Sequence, residues 1–446
     1  MVATVCRKRF KTYVLDEFAR SGRLIIDFEI LGEQMKKIAK LSLVAAVAVA
    51  GLTSANAQPL EEAIKNVDVS GSVVYRYNDY TNDNGTADDL SQNNYKVALN
   101  LSSKVNEDVK FNSRFVVGGA DSGFAALNSS TNNDQNVDVT LSHAYFGYTG
   151  IANTTVNVGK QGLTTPWTVA IDSDNNEQTG TGVLALSTVG PVTLAAAYFN
   201  QTNLDKSSDA KISSGGEDYK LTNLDDDADT EDPVVRGNLD VVTVGAILAA
   251  GPVTADAWYL DSQDLFDSYT VGAKADFDLN GLKLGVDARF ASLTLDETAP
   301  TLGIDSTDNS IAKIALTAKA GIVSGKVLYA ATDKDGGLTA LDNDAVTTVN
   351  GWNTTVNGKA DADYWQTTLG VDVLSNLNLS ANYNNLQYVN DGDDMEEEEL
   401  YAQLVYKMSK NLSSYIRYGT LTRENTTTND ETTDGTVGRL QVEYTF

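Results

Sequence analysis

Three carboxylates, Asp172, Asp174 and Glu177, fall within six residues, just after Pro166-Trp167. Held in a narrow water-filled passage, such a cluster would enrich cations and disfavour anions. On an open surface it would be only a solvated loop. Six cations, Arg76, Lys96, Lys110 and Arg114 early in the chain and Arg417 and Arg439 near its end, occupy polar positions of alternating segments. Set opposite the acidic loop, they would form a basic wall and a transverse field that orients dipolar solutes and hinders apolar ones. His143 is the single histidine and Cys6 the single cysteine, which leaves little room for histidine catalysis or thiolate metal sites. Calcium, which takes several carboxylate oxygens at once, has three weak candidate clusters. These are Asp225, Asp226 and Asp227 with the acids just after them, Asp333-Lys334-Asp335, and the run from Asp391 to Glu399. Solvated charge runs are the plainer reading of all three, so no cofactor is expected.

The whole chain has 446 residues and a net charge of −28. Residues 1–57 hold nine Lys/Arg and five Asp/Glu, a surplus of four positive charges, so residues 58–446 carry −32. That balance excludes a nucleic-acid partner, which needs clustered cations. From Met35 a positive stretch (Lys36, Lys37, Lys40) leads into an apolar run from Leu41 to Leu52 and then Ala55-Asn56-Ala57. This is a signal-peptide pattern over 35–57, with cleavage expected between Ala57 and Gln58. The apolar run is shorter than the ~20 residues of a membrane-spanning helix. Residues 1–34 read as an upstream extension, with Met35 as the initiator.

Beyond residue 66 the apolar pattern has period two, the mark of strands with one apolar and one polar face. Val67, Val69, Val73, Tyr75 and Tyr77 alternate with Asp68, Ser70, Ser72 and Arg76, and Leu377, Leu379, Ala381 and Tyr383 alternate with Asn378, Ser380 and Asn382. Eighteen such segments follow one another with no helix to cover the apolar face. Sixteen is the alternative, because 181–188 and 253–261 are weak. The segments are joined alternately by tight turns such as Asn280-Gly281 and by long polar stretches such as 200–238, 293–309, 333–361 and 423–435. The fold class that satisfies this is all-β: a transmembrane antiparallel β-barrel over 58–446, with short periplasmic turns and long extracellular loops. Hydrocarbon covers one face and water the other, and closure leaves no unpaired edge. The last strand ends on Tyr444 and Phe446, the type of terminus expected to be read by barrel-assembly machinery. His143, at the parity of Leu141 and Tyr145, is expected on the outer face, at a subunit contact or an interface.

Three stretches, PLEEAIKNVDVSGSVVYRY at 59–77, VGKQGLTTPWT at 158–168 with GTG at 180–182, and LQVEYTF at 440–446, cover about a tenth of the mature chain. In them the sequence resembles the major outer-membrane porins of campylobacters and their relatives, Gram-negative bacteria. The resemblance implies an 18-stranded trimeric porin in the outer membrane, a preference for cations, and a third outside loop folded inward, here about 162–180. Its partners would be membrane lipid and lipopolysaccharide, and its cargo small hydrophilic solutes and cations. The rival reading is a barrel acting as an adhesin or surface-structural protein through its long loops. A barrel lipase or protease is disfavoured by the single histidine, and an energised transporter by the absence of room for a plug before the first strand.

Overall fold

The computed structural model describes residues 66–83, 90–119, 123–127, 138–204, 209, 211–214, 217–220, 239–263, 265–296 and 307–446. The signal peptide with Ala57 and Gln58, and the calcium candidates Asp225, Asp226 and Asp227, lie outside the described residues. Alternation places an apolar row on one side of every strand. Val244, Leu316, Leu369 and Leu400 all point outward and exposed, so a continuous apolar belt surrounds the sheet. Only lipid can cover a belt of that extent.

Eighteen antiparallel strands form the wall. They are β1 (Val67–Tyr80), β2 (Leu90–Lys104), β3 (Val109–Gly118), β4 (Asp138–Tyr148), β5 (Thr154–Gly162), β6 (Thr179–Val189), β7 (Val192–Thr202), β8 (Val241–Ala250) and β9 (Val253–Ser262). The circuit continues with β10 (Phe266–Leu279), β11 (Leu282–Leu295), β12 (Asp308–Ala320), β13 (Val323–Thr332), β14 (Ala360–Leu374), β15 (Leu377–Asn390), β16 (Asp393–Lys407), β17 (Leu412–Asn425) and β18 (Asp430–Thr445). Each pairs with the next, and β1 pairs with β18 from Ser72–Thr445 to Tyr80–Val437, closing the barrel. Both segments that looked weak in sequence, now β6 and β9, are full members. The turns at one end are tight. At Asn280-Gly281 both residues have positive φ (54° and 93°), the hairpin geometry that Asn-Gly favours.

Two expected loops are instead strand. The span 423–435 is mostly the tops of β17 and β18, leaving only residues 426–429 as a turn, and the acidic run after Asp391-Gly392 is the first half of β16. Wall height therefore varies. Strands β3 to β7 have 9–11 residues, about what a tilted strand needs to cross hydrocarbon. Strands β14 to β18 have 14–16 and rise beyond the bilayer.

The seam depends on the last residue. Gly71 and Phe446 exchange backbone hydrogen bonds of 2.9 and 3.0 Å, and the Tyr444 and Phe446 rings stack at 6.0 Å. A Cβ on Gly71 would meet the Ala98 carbonyl oxygen at 2.2 Å and the Phe446 ring at 2.8 Å. Gly71 is thus a glycine of close backbone approach. Gly71→Val is expected to sharply reduce the fraction of protein that runs as a compact, heat-modifiable band on gels. An unchanged folded fraction would show that the seam tolerates the side chain.

The inner face is not uniformly wet, which corrects the expectation of water along the whole polar side. Toward the loop end it carries a dry cluster of Leu260, Phe266, Leu293 and Leu295 with Leu163, Trp167, Leu338 and Leu341. A second cluster gathers Ile311, Leu328, Tyr364 and Leu386 around Val349 and Val356. Both are built from wall strands and from chain that enters the lumen.

Candidate functional site

The chain leaves β5 at Leu163, whose amide donates to the Gln178 carbonyl at 2.9 Å, pinching off the loop 163–178 at its base. Pro166 and Trp167 carry it across the lumen. The Trp167 indole is fully buried, and its Nε1 donates to Ser268 Oγ on β10 at 2.7 Å. A buried indole needs such a polar partner for its N–H. The loop then returns to the seam wall. Asp174 accepts from Arg76 on β1 at 2.7 Å and Arg439 on β18 at 3.2 Å, and Arg76 also donates to the Ser173 carbonyl at 2.6 Å. The two guanidiniums are themselves held by Gln441 and Asn78. The Asp174 side chain remains 60% exposed, so its carboxylate faces lumen water.

Glu177 has the opposite environment. Its side chain is wholly buried between Lys96 on β2 at 2.9 Å and Arg114 on β3 at 2.8 Å, and Ser142 donates a short hydrogen bond to it. Burial by itself would raise its pKa, but Arg114 and Lys96 outweigh burial and hold the carboxyl down at about 2. Glu177 is therefore an ionised hook fixing the loop to the wall, not a charge presented to passing ions. Strand β4 shifts register opposite Arg114, which pairs with His143 while Phe115 pairs with Leu141. The bulge leaves Ser142 and His143 both facing inward. The expectation that His143 lies on the outer face is overturned, since its Nε2 is buried and would lie 3.2 Å from a Cβ on Gly162 at the base of the loop. An inserted residue inverts side-chain parity from that point on, and simple alternation cannot register it.

The basic wall exists, but it touches the acidic loop rather than facing it across water. Arg76, Lys96, Arg114 and Arg439 share the two carboxylates Asp174 and Glu177 in direct contacts. The expected field across an open gap is thus largely closed by ion pairs. Lys110 does not belong to it. It is exposed and pairs in register with Lys104 at the tight-turn end, four residues from Arg114 and so about 13 Å away. Arg417 is on the same wall but engages a different partner, the indole of Trp352, at 5.6 Å.

Trp352 belongs to a second inward loop, 333–359, which the sequence suggested was an outside loop. It is docked on the first. Leu341 N donates to the Trp167 carbonyl at 2.9 Å, Gln178 Nε2 to the Leu341 carbonyl at 2.8 Å, and Ser173 N to Asp344 at 2.5 Å. On the wall it is held by Glu399, which accepts from the amides of Trp352 and Asn353, both at 2.8 Å, and from Asn384 at 2.7 Å. Arg423 ties Glu397 at 3.2 Å to the Asn353 carbonyl at 2.7 Å. Two carboxylates of the run assigned weakly to calcium are therefore buried loop anchors. A signal was present: Glu397 and Glu399 have the same strand parity, and the loop contains Leu338, Leu341, Val349 and Val356, too apolar for a solvated excursion.

Where the two loops meet, carboxylate oxygens of Asp172, Asp209 and Asp342 lie within 4.8 Å of one another, close enough to hold a cation. Burial, followed by the charge of neighbouring aspartates, pushes Asp342 up to about 8 and Asp172 up to about 6. Asp333 and Asp335 of the remaining candidate cluster are exposed, and Asp335 pairs with Lys334 at 2.8 Å.

A model of the family described as Campylobacter major outer membrane protein matches residues 35–446. No curated protein matches the chain. Among solved structures, Pseudomonas aeruginosa OccK2 (OpdF) is similar at a TM-score of 0.66 and 13% identity, covering 86% of this chain and 98% of that one. Pseudomonas aeruginosa OpdL gives 0.66 at 19% identity, covering 86% and 99%. Acinetobacter baumannii OccAB1 gives 0.65 at 16%, covering 86% and 97%. At these identities the likeness concerns the fold.

Proposed function

This chain belongs to the Campylobacter major outer membrane protein family, and from that premise we propose that it is a cation-preferring diffusion pore whose narrowest part is set by two interlocked inward loops. It is an outer-membrane porin channel, and it is not an enzyme. The observation that carries the finer reading is the Asp174 carboxylate, anchored at its root and open to lumen water, beside the acid trio Asp172, Asp209 and Asp342. Fixed carboxylates in a narrow, low-dielectric passage concentrate cations and repel anions. The −32 net charge of the body works in the same direction.

Export through the signal segment ending at Ala57, reading of Tyr444 and Phe446 by assembly machinery, and a homotrimeric assembly complete the proposal. Trimerisation rests on the family likeness alone.

Planar-bilayer recording on protein starting at Gln58 is the test. Stepwise, ohmic conductance with a reversal potential favouring K⁺ over Cl⁻ is expected. Asp172→Asn with Asp174→Asn should weaken that preference, whereas Lys110→Gln, remote from the loops, should leave it unchanged. Preference should also grow with pH. Asp172 and Asp342 have raised pKa values, so each is neutral below and charged above about 6 and about 8. The reversal potential should therefore move toward that of K⁺ between about pH 5 and about pH 9. A flat profile would remove the trio from the conduction path. Absence of channel steps would favour the adhesin reading.

A further inference from the structure

Arg417 and Arg439 are direct cross-strand partners on β17 and β18. Like charges placed opposite one another on a sheet face destabilise it, and the two are treated differently. Arg439 pairs with Asp174, which it shares with Arg76, and is further held by Asn78. Among the described residues Arg417 makes one hydrogen bond, from its Nε to Gln403. Among the described residues no carboxylate pairs with it, and the outer edge of its guanidinium, the two Nη groups, has no protein acceptor.

Aromatic rings fix that guanidinium in place. Its central carbon lies 4.9 Å from the Tyr415 ring, 5.6 Å from Trp352 and 5.8 Å from Tyr401. The Trp352 ring is shared with Arg439, at 5.7 Å, and is itself held edge-on by Tyr401. Trp352 is positioned through its amide by Glu399, so the ring is set by the wall and not by the loop's own freedom. Both Trp352 and Arg417 are half-buried. The result is a rigid two-donor fork beside a flat apolar surface. That geometry matches a carboxylate on one side and a planar carbon body on the other.

We propose that Arg417 and Trp352 form a binding station for small carboxylate-bearing solutes inside the pore. This rests on the porin reading and deepens it: a lumen that prefers cations keeps on its wall a guanidinium with no carboxylate against it among the described residues, where an organic acid can pause and be handed through. The acidic trio repels the anion's charge while the fork takes it, so passage is selective for acids that can stack as well as pair.

The experiment is equilibrium binding of benzoate to the detergent-solubilised full barrel, followed by NMR or calorimetry, with benzamide as the uncharged isostere. Single-channel steps are recorded on the same preparations. Wild type should bind benzoate. Arg417→Gln should bind it at least about tenfold more weakly, as expected for loss of a charge-assisted fork, with its steps retained. Arg417→Lys should restore binding only in part, because a point charge cannot form the fork. Trp352→Leu should weaken benzoate more than acetate. Equal binding of benzamide, or unchanged benzoate binding by Arg417→Gln, would overturn the station while leaving the channel steps, and so the porin reading, intact. Absence of steps in wild type would overturn the porin reading instead, and the binding comparison would still decide the station.

Discussion

Channels carrying Glu177→Gln should flicker between conductance levels where the wild type holds one. The substitution removes one charge from a buried group of three and leaves Lys96 and Arg114 without their shared counter-ion. Breaking a buried pair by removing one partner costs about 3–5 kcal/mol, because the remaining charge is uncompensated. That is comparable to what remains on the wall, where the Asn175 and Ser173 carbonyls accept from Lys96 and Arg76 at about 1.5–3 kcal/mol each and Asp174 keeps its ion pairs with Arg76 and Arg439. The loop 163–178 should therefore leave the wall part of the time, and with it the contacts that Gln178 and Ser173 make to 333–359. Acid alone should not reproduce this until the pH is low. The Glu177 pKa is held down at about 2 from a usual value of 4.5, so its contribution is fully present above 4.5 and is lost as pH falls toward 2. Wild-type channels at about pH 5 should thus be as free of flicker as at neutrality, even as their ion preference falls. If Glu177→Gln gives quiet channels of wild-type size, Glu177 is not the hook.

The second large effect is expected for Trp167→Ala. The indole is fully buried, joins the core of Leu260, Phe266, Leu293 and Leu341, and bonds Ser268 across the lumen. Emptying such a site costs about 3–5 kcal/mol in lost burial and cavity. The wall should survive, because strand pairing does not involve this side chain. The interlocked loops should not. A larger open-channel conductance, together with new protease cleavage within 163–178 and 333–359, is the expected result, while the heat-modifiable band persists. Trp365→Ala is the matched control. That ring lies on the outer face, 50% exposed against Tyr329 at 4.7 Å, and should leave conductance unaltered. Equal conductance for Trp167→Ala and wild type would mean that the loops hold their positions without a core.

The two effects differ in kind. Glu177 works through charge and is sensitive to what replaces it, so Glu177→Asp should restore quiet channels in part. Trp167 works through volume, and Trp167→Phe should recover packing but not the bond to Ser268.

Eighteen strands and most of their tight turns could be read from period-two alternation, because a strand in a barrel wall meets two different solvents at every pair of residues. Lipid imposes that pattern locally, residue by residue, and so the chain displays it without knowledge of its partners. The acidic loop and most of the basic wall were legible for the same reason: Arg76, Lys96, Arg114 and Arg439 hold polar parity on strands that closure makes neighbours. The inner core, the second loop and the ion pairs were not. His143 faces inward because of one extra residue opposite Arg114, and Glu397 and Glu399 are anchors because Trp352 and Asn353 arrive beside them from over forty residues away. Local pattern is set by the solvent on each side of the wall, whereas loop docking depends on contacts between residues distant in sequence, whose proximity exists only once the barrel has closed.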